Sequence, residues 1–168
     1  MVRLCHVVSC LVLTLFVLAP LSSARADQAF QRFLPLLVDL DGWQGKKPDG
    51  ASMEMANMSM TTANRDYTKG SSELHASVVV GQGAVAALAP LQNAMNIQTA
   101  DGHMITASMH GMNVLKGYNN KDKSGSLIVG ISKDAMFSLA YKNMTEDEAL
   151  ALAEKFDWKA IQTAAQAK

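Results

Sequence analysis

The sequence predicts an α+β domain in which an antiparallel sheet of about six to seven strands is covered by helices on one face. Short segments that alternate apolar and polar residues recur along the chain, and stretches with helical periodicity lie between and after them. The turns between consecutive strand segments contain only a few residues, which favours antiparallel neighbours. Helices that are set apart from such a sheet favour a two-layer arrangement.

The first 26 residues are predicted to be a secretory signal peptide and not part of the domain. Arg3 lies in a short positive region, residues 7–21 are apolar, and the small residues Ala24 and Ala26 mark a cleavage site. The apolar run is shorter than the roughly 20 residues of a membrane-spanning helix, so we expect no membrane span after cleavage. The domain would then comprise residues 27–168, and the protein would be periplasmic or secreted.

The composition narrows the class of function. The chain has 15 basic and 15 acidic residues, so it lacks the basic excess typical of proteins that bind nucleic acid. Cys5 and Cys10 lie in the predicted signal, which leaves the remaining chain without a thiol nucleophile or a cysteine metal site. The sequence contains no HExxH pair, no GxSxG elbow and no P-loop. We therefore expect a protein that has no catalytic residues and does not bind nucleic acid.

The first half of the domain is predicted to contain two helices and two strands. Apolar residues at helical spacing predict a helix over residues 27–38. Strands are predicted over 64–69 and 73–80, after a methionine-rich segment. The second helix is predicted over 83–95, where Pro90 should kink or split it. The GxGxxA sequence at its start is interpreted as a glycine turn and not as a dinucleotide-binding loop.

The second half is predicted to be a four-stranded meander that ends in a helix. Its strands are predicted over residues 103–108, 112–119, 126–131 and 135–141. Thr145 and Glu148 have the spacing of a capping box, in which the two side chains bond each other's backbone N–H groups. We therefore expect a helix that begins at Thr145 and extends to about residue 156.

Several of these segments together resemble a known fold family. The shared pattern is a hairpin around His110-Gly111, the meander 125–130 and 136–141, and the terminal helix 145–156, with residues 64–70 fitting the front of the pattern. These segments resemble small exported bacterial proteins of PsbP-like or DcrB-like fold. The resemblance implies a two-layer sandwich, a location in the cell envelope and a role as a binding or accessory module, and it implies no catalytic residue.

A methionine cluster is the most distinctive feature of the sequence. Met53, Met55, Met58 and Met60 fall within eight positions. A two-residue hairpin loop at Ala56-Asn57 would pair Met55 with Met58 and Met53 with Met60, and all four side chains would then share one face. The other face would present four polar residues: Ser52, Glu54, Ser59 and Thr61. Cross-strand Cβ atoms lie about 4.5–5.5 Å apart, close enough for the thioethers to converge.

A second cluster surrounds the next predicted hairpin. With His110-Gly111 as a two-residue loop, Met109 and Met112 become cross-strand partners. Glycine adopts positive φ freely and histidine does so more readily than most residues, which makes this turn favourable.

Three interpretations of the methionines remain open at the level of sequence. They could fill the core, because thioether side chains are flexible. They could bind Cu(I) or Ag(I), which prefer thioether and imidazole ligands. The proposed ligands are Met53, Met55, Met58 and Met60, assisted by Met109, His110 and Met112. They could also form an adaptable surface for another envelope protein or for lipid. We expect an exported binding module that binds a soft metal ion. If the methionines only pack the core, we expect it to bind another envelope protein instead.

Overall fold

A sheet of nine strands dominates the computed structural model, which describes residues 29–167. In chain order the strands are β1 (Gln44–Gly45), β2 (Asp49–Met55), β3 (Met58–Lys69), β4 (Ser72–Gly81), β5 (Asn96–Thr99), β6 (Gly102–Met109), β7 (Met112–Asn119), β8 (Ser124–Ser132) and β9 (Ala135–Lys142). They pair antiparallel in the order β1-β3-β4-β9-β8-β7-β6-β5, and β2 also pairs with β3. The predicted signal peptide lies outside the described residues.

The α+β class is confirmed, but the predicted count of six to seven strands is wrong. The additional strands β1 and β5 have two and four residues, all exposed, so they are too short and too solvated for a periodic pattern to indicate them. The methionine segment adds β2. Strand β3 starts at Met58 and runs without a break through the strand predicted over 64–69.

Proline residues decide where two helical segments differ from regular α-helix. The predicted helix over 27–38 is wrong, because its described part consists of turns and a short 3-10 helix, Leu34–Leu36, that contains Pro35. Proline lacks the N–H group that an α-helix interior needs. In the second segment the split predicted at Pro90 is confirmed. Helix α1 (Gln82–Leu88) ends there and a 3-10 helix (Ala89–Gln92) follows.

The sheet is covered on both faces. One face, here called the α2/α3 face, packs against residues 33–40 and against helices α2 (Glu146–Ala153) and α3 (Trp158–Gln166). The opposite face, here called the α1 face, packs against α1 and the 3-10 helix that follows it. Adjacent residues Val78 and Val79 belong to the two different cores, as the alternation along a strand requires. The prediction that helices cover only one face is therefore wrong.

The position of α1 follows from the end of β4. Gly81 has φ +100°, a value that favours glycine, and its N–H donates to the Asp134 carbonyl at 2.7 Å. This conformation turns the chain onto the α1 face at once. Helix α1 buries only Ala84 and Leu88, and it covers only the part of the sheet near Gly81. The part of the α1 face that neither α1 nor the following 3-10 helix covers is open.

Candidate functional site

The methionine hairpin is formed by β2 and β3 in the register that the sequence predicts. Met55 pairs with Met58 and Met53 pairs with Met60, so all four side chains lie on the α1 face. The polar residues occupy the other side of the hairpin, where the hydroxyls of Ser52 and Thr61 lie 3.2 Å apart. The two-residue loop and the separation of apolar and polar faces are thus confirmed.

The four methionines differ in how much of each side chain meets solvent. Met53, Met55 and Met58 are 46%, 63% and 46% exposed, whereas Met60 is half-buried. The Sδ atom of Met60 lies against Gly83 at the start of α1. The three exposed side chains do not fill the core, so the packing interpretation is wrong for them. It applies in part to Met60.

The hairpin tip projects because the strand beside it ends early. Pairing of β3 with β4 stops at Met60 and Gly81, where the chain turns into α1. The loop is fixed to α1 by a long hydrogen bond from Gln82 Nε2 to the Asn57 carbonyl, at 3.4 Å. At Gly81 a Cβ would overlap the Ser59 carbonyl oxygen, so the close approach of hairpin and strand requires glycine there.

A shallow depression of about 570 Å³ lies beside the tip. Met55, Met58 and the exposed Val85 supply its large apolar side chains, and both charged residues that line it, Glu54 and Asp134, are acidic. The tip therefore combines thioethers with a negative local charge, which favours a cation over an anion.

The second cluster adopts its predicted turn but lies elsewhere. His110 and Gly111 have φ +52° and +78°, and Met109 pairs with Met112. Met112 is buried in the core of the α2/α3 face and Met109 packs against that core. The exposed His110 ring meets Trp158 edge-on, with ring centroids 5.4 Å apart, and its Nε2 atom lies 3.5 Å from Glu154 Oε1.

The structure does not bring the two clusters together. Met53, Met55, Met58 and Met60 lie on the α1 face at β2 and β3, while Met109 and Met112 lie on the α2/α3 face at β6 and β7. Four strand spacings separate β3 from β7, roughly 19 Å. The prediction that Met109, His110 and Met112 assist the hairpin methionines is therefore wrong. Among residues 29–167, no group of three or more histidine or acidic side chains forms a metal site.

A trough of about 780 Å³ occupies the open part of the α1 face. Its floor consists of small residues in register on neighbouring strands: Ala140, Ser126 and Gly117. The exposed Met104 of β6 lines one side, and its cross-strand partner, the exposed Ile97 of β5, continues that side towards the sheet edge.

The opposite side of the trough is a charged group centred on Asp66. Its carboxylate lies 2.7 Å from His75 Nδ1 and accepts from Lys46 Nζ at 3.1 Å. The hydrogen bond with His75, then that with Lys46, hold the pKa of Asp66 below its usual range. The sequence patterns indicate no functional group at these residues, and His75 alone would be interpreted as a structural histidine of a strand. Asp66 and His75 stand on either side of the turn at Gly70, so extending the hairpin register from that turn would have paired them.

A second polar cluster lies on the α2/α3 face where α2 begins. Glu146 lies 3.1 Å from His103 Nε2, and Lys116 Nζ approaches its other oxygen at 3.5 Å, an ion-pair distance without a hydrogen bond. Burial, together with the negative charge of Glu146, raises the pKa of the nearby Tyr141. One oxygen of Glu146 faces the His103 ring and the other faces Lys116, so this cluster joins α2 to β6 and β7.

Comparison of the chain with protein-family models, with curated proteins and with solved structures finds no match. Among the helices of the described residues, none is both long enough and apolar enough to cross a membrane.

Proposed function

We propose that this protein is an exported, non-catalytic binding module of the bacterial cell envelope that binds Cu(I) or Ag(I) through the methionine hairpin. The observation on which the proposal rests is that four thioethers share one face of a hairpin and three of them are exposed. The resemblance to PsbP-like or DcrB-like proteins agrees with an envelope location and remains a prediction.

Stability alone does not account for these exposed side chains. Full burial of one methionine contributes about 1.5–3 kcal/mol, and Met53, Met55 and Met58 realise only part of that contribution. Thioether sulfur is a soft, neutral ligand that suits monovalent copper and silver. Methionine has three rotatable bonds, so sulfurs on paired residues of one hairpin face can converge on one ion. The acidic Glu54 and Asp134 beside the tip add favourable charge for a cation.

A competition titration with Cu(I) tests the proposal. We compare residues 27–168 with a variant in which Met53, Met55, Met58 and Met60 are all changed to leucine. Leucine keeps the volume and the apolar character of methionine, so the variant should remain folded. We expect tight binding by the parent and loss of that binding in the variant, because only the sulfur ligands have been removed.

The matched control is Met104→Leu, which removes another exposed methionine on the same face of the sheet but far from the hairpin. This control should bind Cu(I) like the parent. Unchanged affinity in a folded quadruple variant would contradict the proposed site.

A second candidate function is binding of another envelope protein on the open part of the α1 face. The trough favours it, because a concave surface with a floor of small residues is continuous with the exposed apolar pair Ile97 and Met104. The same titration separates the two candidates. Weak Cu(I) binding by both the parent and the quadruple variant would favour the protein-binding module.

A further inference from the structure

We propose that Met53, Met55 and Met58 are sites of oxidation by peroxide, and that their oxidation abolishes soft-metal binding while the fold is retained. This inference rests on the metal-binding function proposed above and concerns the regulation of that same site. It is carried by the placement of these side chains on a projecting hairpin outside both cores.

Burial divides the methionines of the described residues into classes with different access to an oxidant. Met53, Met55 and Met58 are exposed at the hairpin tip, whereas Met112 and Met144 are only 9% and 5% exposed in the core. Met60 is half-buried, with its sulfur against Gly83 of α1. A small oxidant in solution therefore reaches the first three sulfurs directly and reaches the core sulfurs only when the structure opens.

The chemical step is oxygen transfer from hydrogen peroxide to sulfur. A sulfur lone pair attacks one peroxide oxygen, the O–O bond breaks, and a sulfur–oxygen bond forms. Sulfur loses two electrons, and the other peroxide oxygen leaves as water after proton transfer. The product is methionine sulfoxide, a polar group in place of an apolar one. Because a lone pair of the thioether is now bound to oxygen, the residue is no longer the soft ligand that Cu(I) and Ag(I) prefer.

The fold should survive this change because the hairpin is held by groups other than the exposed thioethers. The register of β2 with β3, the Ser52–Thr61 hydroxyl contact and the pairing of β3 with β4 do not use these side chains. New sulfoxide oxygens at the tip would face water. The same modification at Met112 or Met144 would place an unpaired polar group in the core. Oxidation at the hairpin can thus abolish metal binding without lowering the stability of the fold.

Bound metal should protect the same sulfurs, because coordination withdraws electron density from the sulfur lone pairs and blocks the approach of peroxide. The experiment treats the purified protein with hydrogen peroxide, with and without Ag(I), which is a redox-inert probe here. Mass spectrometry of peptides then measures sulfoxide at each methionine over time. Met104 is the internal control, because it is exposed but lies on β6, far from the hairpin.

We expect Met53, Met55 and Met58 to oxidise roughly tenfold or more faster than Met112 and Met144. Ag(I) should slow oxidation of the hairpin methionines and leave Met104 unchanged. After removal of peroxide, the oxidised protein should keep the circular dichroism spectrum of the parent and should no longer bind Ag(I).

Each contrary outcome has a distinct meaning. Oxidation of the hairpin no faster than that of Met112 would overturn the inference while leaving metal binding intact. Rapid oxidation that Ag(I) does not slow, in protein that also fails to bind Ag(I) before treatment, would contradict the proposed function itself. Retained Ag(I) binding by protein with a fully oxidised hairpin would overturn the inference that oxidation abolishes binding, and unfolding on oxidation would overturn the inference that the fold is retained.

Discussion

Met112 and Met55 are methionines in two different environments. The contribution of each side chain to the free energy of unfolding should differ accordingly. Met112 lies in the core of the α2/α3 face beside Val114, whereas Met55 projects from the hairpin tip. Removal of a buried side chain loses its transfer free energy and leaves a cavity. Removal of an exposed one loses little.

We therefore expect Met112→Ala to lower the free energy of unfolding by about 2–5 kcal/mol and Met55→Ala to change it by less than about 0.5 kcal/mol. Urea denaturation measures both values. Met112→Leu is the control, since it keeps the volume and should cost less than about 1.5 kcal/mol. Equal destabilisation by the two alanine variants would show that the hairpin tip is packed and not exposed.

Helix α2 is the element whose start is determined most locally. Thr145 Oγ1 accepts from the backbone N–H of Glu148, and the Glu148 carboxylate accepts from the backbone N–H of Thr145 at 2.9 Å. The Glu148 carboxylate accepts from the Thr145 backbone N–H and also from Thr145 Oγ1, and these two hydrogen bonds hold its pKa below its usual value. The capping box predicted from Thr145 and Glu148 is thus confirmed.

Replacement of the cap tests how much it contributes. Thr145→Ala removes the acceptor for the Glu148 N–H, and we expect a loss of about 0.5–2 kcal/mol in the free energy of unfolding. Thr145→Ser keeps the hydroxyl and should remain close to the parent. Thermal unfolding followed by circular dichroism distinguishes the two variants. If the serine variant is as unstable as the alanine variant, packing of the threonine methyl group, and not capping, accounts for the stability that Thr145 contributes.

The elements that the sequence predicts correctly are those defined by neighbours in the chain. The Met53–Met60 hairpin, the His110-Gly111 turn and the cap of α2 each depend on fewer than about ten consecutive residues. The face of the sheet that α1 covers depends instead on the φ of Gly81 and on the strands beside β4. Alanine-rich α1 has too weak an apolar stripe to indicate that face. Residues 27–38 illustrate the opposite error, because apolar periodicity was present but Pro35 prevented the helix.

The separation of the two methionine clusters is a property of the whole sheet. Each cluster follows from a local hairpin, but their relative position depends on the order β3-β4-β9-β8-β7, in which β4 pairs with β9. No local pattern specifies that order. Sequence patterns could therefore predict both hairpins correctly and still place Met109, His110 and Met112 wrongly in one site with the four hairpin methionines.

This arrangement predicts that the second cluster is independent of metal binding. The double variant Met109→Leu with His110→Ala should bind Cu(I) as tightly as the parent in the competition titration, because its residues lie on the opposite face of the sheet. A large loss of affinity in a folded double variant would mean that Met109 or His110 binds the metal, which would contradict a site at the hairpin alone.

The pairing of β4 with β9 also governs how the chain can acquire its structure over time. The register joins Val80 to Ala135 and Glu73 to Lys142, so the centre of the sheet consists of strands that are remote in sequence. Hairpins such as β2–β3 can form within microseconds. The apolar residues Leu74, Ala76 and Val78 of β4 belong to a core that also contains residues of β9, α2 and α3, so this core is complete only when those elements are present. Closure of this long loop should therefore limit the folding rate to the millisecond-to-second range of proteins with non-local strand pairing. A chain synthesised or threaded through a pore from its N-terminus would have to emerge as far as α3 before its core could close.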